Sequence, residues 1–277
     1  MKPAAFDYVR ADSAEAACEL LARHGEQARI LAGGQSLMAV LNMRLAQPEM
    51  LIDISRSVSL ARIEIRDGYL QVGASATQAE LEWREGLARE LPLLQLAFPH
   101  ISHFQIRNRG TVCGSIAHAD PSAELPLCLL ALKGSVVLRR GTRQRLLPAD
   151  QFFTGMLSTA RAPDELLEAV RFPLARPGQG FGFREFSRRH GDFAVCAVAA
   201  IADAQGLRVA VGGVADRPMV REWPLLEGSA LDDALNEFAW ALDARDDPQI
   251  SAASRRHLVR RLGRQAVAEA LQARNSK

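Results

Sequence analysis

The residues best suited to chemistry in this 277-residue chain are glycines and small hydroxyls in two turns. The first is "ILAGGQSL", where Ile30, Leu31 and Ala32 lead into Gly33 and Gly34, followed by Gln35, Ser36 and Leu37. Adjacent glycines at a strand end either make a tight turn or let something large approach the main chain. The second lies in "RGTVCGSIAHADPSAELP", Arg109 to Pro126, where Thr111, Val112, Cys113, Gly114 and Ser115 open toward a helix. Backbone N–H groups bind an anion without fixing a long side chain, and only small residues leave them accessible. Two such turns suit a diphosphate held from both sides.

The surrounding pattern supplies elements to carry these turns. Asp12 with Glu15 forms a capping-box pattern, Ala17, Leu20 and Leu21 give an apolar face, and His24-Gly25 stops the helix. A strand is predicted over Arg29 to Ala32, then a helix in "SLMAVLNMRLA" that halts before Pro48, then a strand at Met50 to Ile54. Alternation around Asp67-Gly68 signals a hairpin over 62 to 74. Thr77 with Glu80 caps another helix, and "AELPLCLLALKG" reads as a buried one. Strands are predicted at "SVVLRR" and at Glu165 to Pro173. "PLARPGQGFG" is the clearest composition break and places a domain boundary near Arg176, with "GQGFG" as linker. Beyond it, "DFAVCAVAAIAD" and "LRVAVGGVA" read as paired strands, and everything after Leu225 as helix.

Composition narrows the function classes. With 34 basic and 32 acidic residues, no strong field advertises nucleic acid or a membrane surface. Cys18, Cys113, Cys128 and Cys196 are scattered, with no C-x-x-C pair, so this chain is expected to hold no zinc or iron–sulfur cluster of its own. No signal-peptide core or membrane-length apolar run occurs, and a cytoplasmic location with reduced thiols is expected. Neither a dinucleotide fingerprint nor a phosphate-loop motif is present.

"AGGQSL" followed by "GTVCGSIAHADPSAELP" resembles the two flavin-diphosphate motifs of the FAD subunit of molybdenum hydroxylases. That family includes carbon monoxide dehydrogenase medium subunits and the FAD domain of xanthine dehydrogenase. The resemblance continues through "PDELLEAVRFP" and "FGFREFSRRHGDFAVCAVAA" and covers essentially the whole chain. It implies an α+β fold: a two-lobed FAD-binding domain of the vanillyl-alcohol-oxidase-like (PCMH) type over 1–176, with lobes of about 1–56 and 57–176. A smaller α+β domain of sheet and terminal helices would follow over 177–277.

The resemblance also implies roles. Ile30 to Leu37 would lie along the diphosphate of a non-covalent FAD, and Thr111 to Ser115 would hold its other side. Glu124 would sit near ribityl or ribose hydroxyls, with Asp120 one helical turn before it. Leu167 and Arg184 would flank the isoalloxazine, and Ile101 would add an apolar contact. From the residues alone, Leu167 also reads as strand core and Glu124 as a helix N-terminal charge. Cys113 stands where many relatives have glycine, and is expected to keep a negative φ. Arg184 stands where some relatives have lysine, which alters reach and donor geometry. A bulky residue at Gly33 is expected to block the diphosphate while leaving the fold mostly intact.

Such a subunit is an electron exit. Substrate would be oxidised at a molybdenum cofactor in a large subunit, and electrons would cross two 2Fe–2S clusters in a small one. FAD on this chain would collect them for an external acceptor, in a dimer of heterotrimers. No Ser-His-Asp set or acid/base pair is found, as expected when the cofactor carries the chemistry. The apolar "LPLLQLAFPHI" and the basic face from Arg255 to Arg264 are candidate contact surfaces, with core packing and simple solvation as their respective alternatives. The rivals are a stand-alone PCMH-type flavin oxidoreductase, a 4-hydroxybenzoyl-CoA reductase type with a cluster insertion, and a scaffold that has lost FAD. The helical tail offers no catalytic side chains for the first, dispersed cysteines oppose the second, and intact glycine turns oppose the third.

Overall fold

The computed structural model describes residues 2–276 and arranges them around three principal sheets. The first is parallel, in the order β1-β3-β2, built from β1 (Asp7–Arg10), β2 (Ala28–Leu31) and β3 (Met50–Asp53). Helix α1 (Ala14–His24) joins β1 to β2, and α2 (Leu37–Asn42) joins β2 to β3. The α1 N-cap is Ser13, whose hydroxyl accepts from Ala16 N at 3.2 Å, rather than the expected Asp12. Serine at the cap position leaves Asp12 one residue outside the helix. Helix α2 is shorter than its spacing predicts, because the chain turns at Arg44 with φ +56° well before Pro48.

The second sheet is antiparallel, in the order β4-β5-β10-β6-β7. The predicted hairpin supplies β4 (Ile63–Arg66) and β5 (Tyr69–Gly73). A run of short helices follows: α3 (Gln78–Glu82), α4 (Leu87–Glu90), α5 (Pro92–Ala97), α6 (Phe104–Arg107), α7 (Val112–His118) and α8 (Glu124–Ala131). Then come β6 (Ser135–Arg140), β7 (Arg143–Pro148), a turn of helix α9 (Ala149–Phe152), the small ribbon β8 (Phe153–Gly155) with β9 (Ser158–Thr159), and β10 (Leu166–Pro173).

The third sheet is antiparallel: β11 (Gly180–Phe186), β12 (Cys196–Asp203), β13 (Gly206–Gly212) and β14 (Met219–Trp223), in chain order. Helices α10 (Gly228–Ala241) and α11 (Ala252–Asn275) complete the chain. Strand β12 is apolar along its length instead of alternating because both of its faces are covered. Ala197, Ala199 and Ile201 join the core beneath α8, whereas Cys196, Val198 and Ala200 join the one beneath α10 and α11. Every residue of α8 is buried, so its uniform hydrophobicity follows from its position between layers.

Three expectations need correction. "GQGFG" is not all linker, since Gly180 opens β11. A Cβ on Gly180 would lie 1.9 Å from Ala270 O, and one on Gly182 2.0 Å from Ala266 O. These glycines let α11 rest directly on the strand. "LPLLQLAFPHI" is core rather than a contact surface, with Leu91, Leu93, Leu94, Ala97, Phe98 and Ile101 all buried. The basic run on α11 is largely spent within the chain. Arg255 donates to Val195 O (2.9 Å) and Gly213 O (2.6 Å), Arg260 to Asn236 Oδ1 (2.8 Å), and Arg264 pairs with Asp232. Gly182→Val should lift α11 and cost about 3 kcal/mol or more. Gly155→Ala, with nothing within 4 Å of the new atom, should leave stability within about 0.5 kcal/mol. Urea titration of both variants measures the contrast.

Candidate functional site

The two glycine turns meet. A Cβ on Gly33 would lie 2.1 Å from Arg109 O and 2.7 Å from Gly110 Cα, so the turns touch backbone to backbone only because an atom is missing. The start of α3 braces this junction. Gln78 N–H donates to Gly110 O at 2.8 Å, Val112 N–H donates to Ala76 O at 3.2 Å, and Thr77 bridges Thr111. Helix α3 is itself fixed by the expected capping box, with Thr77 N donating to Glu80 Oε2 at 2.7 Å and Glu80 N to Thr77 Oγ1 at 3.2 Å.

The first turn is rich in free donors. Gly34 takes φ +73°, and among the described residues no group accepts from the amides of Gly33, Gly34, Gln35 or Ser36. Gln35 Nε2 donates back to Gly33 O at 3.3 Å, and the Ser36 hydroxyl does not cap α2. The second turn differs from its expected role. Thr111 is buried and its Oγ1 accepts from Gly114 N at 2.9 Å, Ser115 N donates to Thr111 O, and Val112 N is already used. The Cys113 amide is the one left without a partner among residues 112 to 115. Gly114 is needed by this cap, since a Cβ there would lie 2.6 Å from Thr111 Oγ1.

Cys113 is helical with negative φ, as expected. Its Sγ points to Val72 O at 3.4 Å, and complete burial pushes the thiol well above its ordinary range. It is chemically inert there. Ile101 is buried, held by Arg107 Nη1 donating to its carbonyl at 2.7 Å while Arg107 Nε reaches Glu82 at 2.7 Å. Leu167 is buried in β10 opposite Leu138, within the core. Asp120 lies in the turn before α8 rather than on a helix, because Ala119 adopts φ +53° and ends α7; its Oδ1 accepts from Ser122 N at 2.8 Å. Arg184 is half-exposed and pairs with Glu269 of α11.

Glu124 stands in the first turn of α8 and is 5% exposed. Burial pushes its carboxyl up to about 7, the nearby Asp120 charge adding to the effect. Glu185 on β11 is pushed up to about 8 by burial and by the Glu124 charge, and its Oε2 has no partner. Gln78 Oε1 is likewise buried and unpartnered. Sequence reasoning passed over both residues. Gln78 follows a capping threonine and reads as ordinary helix, and Glu185 lies in a strand whose opening glycines read as linker.

Among the described residues no group of three or more His, Cys, Asp and Glu side chains is placed to hold a metal ion, and no helix is long and apolar enough to cross a membrane. All four thiols are free and buried. Carboxyls raised by folding bind protons that the unfolded chain has released, so stability should fall as pH rises from about 5 to about 9. In Glu124→Gln this fall should be shallower, as measured by thermal midpoints across that range. A Gly33→Val chain should lose about 1–3 kcal/mol by prying the two turns apart. The fold is therefore not a bystander to this substitution, and an unchanged urea midpoint would contradict the backbone contact.

Residues 4–175 match the model of the FAD binding domain in molybdopterin dehydrogenase. The chain is 39% identical to the nicotine 6-hydroxylase medium subunit of Paenarthrobacter nicotinovorans, over 98% of this chain and 99% of that protein. It is 33% identical to the caffeine dehydrogenase subunit beta of Pseudomonas sp. strain CBB1, over 98% and 96%. Its structure is similar to a chain of reconstituted CO dehydrogenase from Oligotropha carboxidovorans, with a TM-score of 0.94, 30% identity, and coverage of 99% and 100%. Paired glycine turns, a matching α+β architecture and end-to-end similarity agree: the chain belongs to the family of FAD-binding domains of molybdopterin dehydrogenases.

Proposed function

We propose that this chain is the FAD-carrying medium subunit of a multi-subunit molybdenum hydroxylase. The observation that carries the reading is the end-to-end similarity to a nicotine 6-hydroxylase medium subunit, together with free amides in the turn where the diphosphate would lie. Non-covalent FAD supplies electron transfer when bound, between 2Fe–2S clusters on a small subunit and an external acceptor. The large subunit carries the molybdenum cofactor and the substrate pocket, so the substrate is not written in this chain. Residues 1–176 form the FAD-binding part and 177–277 the C-terminal domain. The assembly is a cytoplasmic dimer of heterotrimers.

The donor set fits the cofactor. Amides from Ala32 to Ser36 would bind the diphosphate, with Ile30, Leu31 and Leu37 holding that turn in place. Thr111 to Ser115 would close the other side, chiefly through the Cys113 amide and the Ser115 hydroxyl. Glu124, with its carboxyl raised to about 7, can accept from or donate to a ribityl or ribose hydroxyl near neutral pH. Asp120, Ile101 and Leu167 shape the remainder. Arg184 would act from the rim, since Glu269 already holds its guanidinium.

The purified chain should be yellow, and acid should release its flavin, because Cys113 Sγ is turned into the sheet. A colourless chain that takes up no added FAD would defeat this reading. The isolated chain should oxidise no purine, aldehyde, N-heterocycle or carbon monoxide, and turnover should appear with the two partner subunits. Substrate-dependent bleaching of the lone, metal-free polypeptide would instead favour a stand-alone oxidoreductase.

A further inference from the structure

Arg255 is the fourth residue of α11, and its side chain is 13% exposed. A cation there opposes the helix dipole, which favours acids in the first turn. The side chain leaves the helix to serve three acceptors. Its Nη1 donates to Val195 O at 2.9 Å and to Gly213 O at 2.6 Å, and its Nη2 pairs with Asp247. Helix α11 does not need this fork to dock, since Val259, Leu262, Ala266, Val267 and Ala270 already bury its apolar face.

Both carbonyls belong to segments that reach the candidate site. Gly213 holds φ +79°, and a Cβ there would lie 2.8 Å from Ala194 O. Its N–H donates to Pro121 O at 2.7 Å, inside the turn from Asp120 to Glu124. Asp120 Oδ1 accepts from Ser122 N at 2.8 Å, so the turn is held from within by its own carboxylate and from outside by Gly213. Val195 N–H donates to Phe186 O at 2.9 Å and closes the loop of residues 187–194. Pro121, Ser122 and Phe193 line a single cleft of about 580 Å³, and Arg255 lines it too.

We propose that Arg255 is a positioning residue for FAD. Through the carbonyls of Gly213 and Val195 it sets the Asp120–Glu124 turn and the base of the 187–194 loop, and so the wall that faces the cofactor. It makes no contact with the flavin itself. An arginine suits this task because its planar fork fixes several acceptors at once, which a single ammonium does not. The inference rests on the FAD reading above, in which Glu124 meets a ribityl or ribose hydroxyl and Asp120 stands beside it.

The test compares full-length wild type, Arg255→Met, Arg255→Lys and Arg264→Met, each freed of flavin and titrated with FAD by fluorescence quenching. Visible circular dichroism of the bound flavin reports the shape of its surroundings, and thermal midpoints of the flavin-free chains report stability. Arg255→Met should weaken FAD binding about tenfold or more and alter the dichroism. Arg255→Lys keeps the charge without the fork. It should weaken binding about threefold or more, with the same altered dichroism even where its midpoint matches wild type. Arg264→Met removes an ion pair with Asp232 from the same helix and should leave affinity and dichroism unchanged. An Arg255→Lys chain that matches wild type in both affinity and dichroism overturns the inference, whether or not Arg255→Met folds. So does an equal loss in Arg264→Met, which would make the effect a general loosening of α11. Wild type that takes up no FAD defeats the cofactor reading itself, whereas a wild type that binds beside unaffected Arg255 variants defeats only this assignment.

Discussion

The structure depends on one close approach, the seating of Gly33 on the carbonyl of Arg109 and the α-carbon of Gly110. No hydrogen bond or ion pair is required at that point; the constraint is the absence of a side chain. Everything near it is arranged to hold two main-chain segments at that separation. Strand β2 delivers Gly33, the capped start of α3 fixes Gly110, and Thr77 bridges Thr111. The result is one turn whose donors are free facing another whose donors are mostly satisfied internally. The asymmetry leaves the first turn with free amides and the second held mainly by its own cap.

A second constraint is the sharing of layers. Helix α8 is buried on all sides, and β12 serves two cores at once. Polar groups admitted to such an interior are costly, so the buried Glu124 stands out, with the half-buried Glu185 near enough to feel its charge. Burial raises both carboxyls, and the Glu124 charge raises that of Glu185 further.

Most of the architecture was legible in the sequence where local chemistry decides it. The Asp67-Gly68 hairpin, the Thr77 and Glu80 box and the continuous apolar run of α8 each carry their own signal, and each formed as read. The misreadings arose where distant packing decides. Gly180 and Gly182 look like linker, but pairing with β12 makes them strand, and α11, some ninety residues later, packs so close that only glycine fits. The basic face of α11 looks solvated, yet Arg255 is consumed by the carbonyls of Val195 and Gly213. The glycine motifs pointed to FAD, but not to their mutual contact, nor to Gln78 and Glu185, each with a buried side-chain oxygen that lacks a partner.

The order β4-β5-β10-β6-β7 also bears on how the chain comes to be folded. The central strand of that sheet, β10, is the last of its five to be synthesised, and it must enter between β5 and β6. Until residues 166 to 173 leave the ribosome, two hairpins stand apart, each with an open apolar edge. Unpaired edges of this kind invite pairing with other chains. Formation of the sheet therefore waits on non-local pairing, which is slow. A nascent subunit truncated before β10 would be a substrate for chaperones rather than a small flavoprotein.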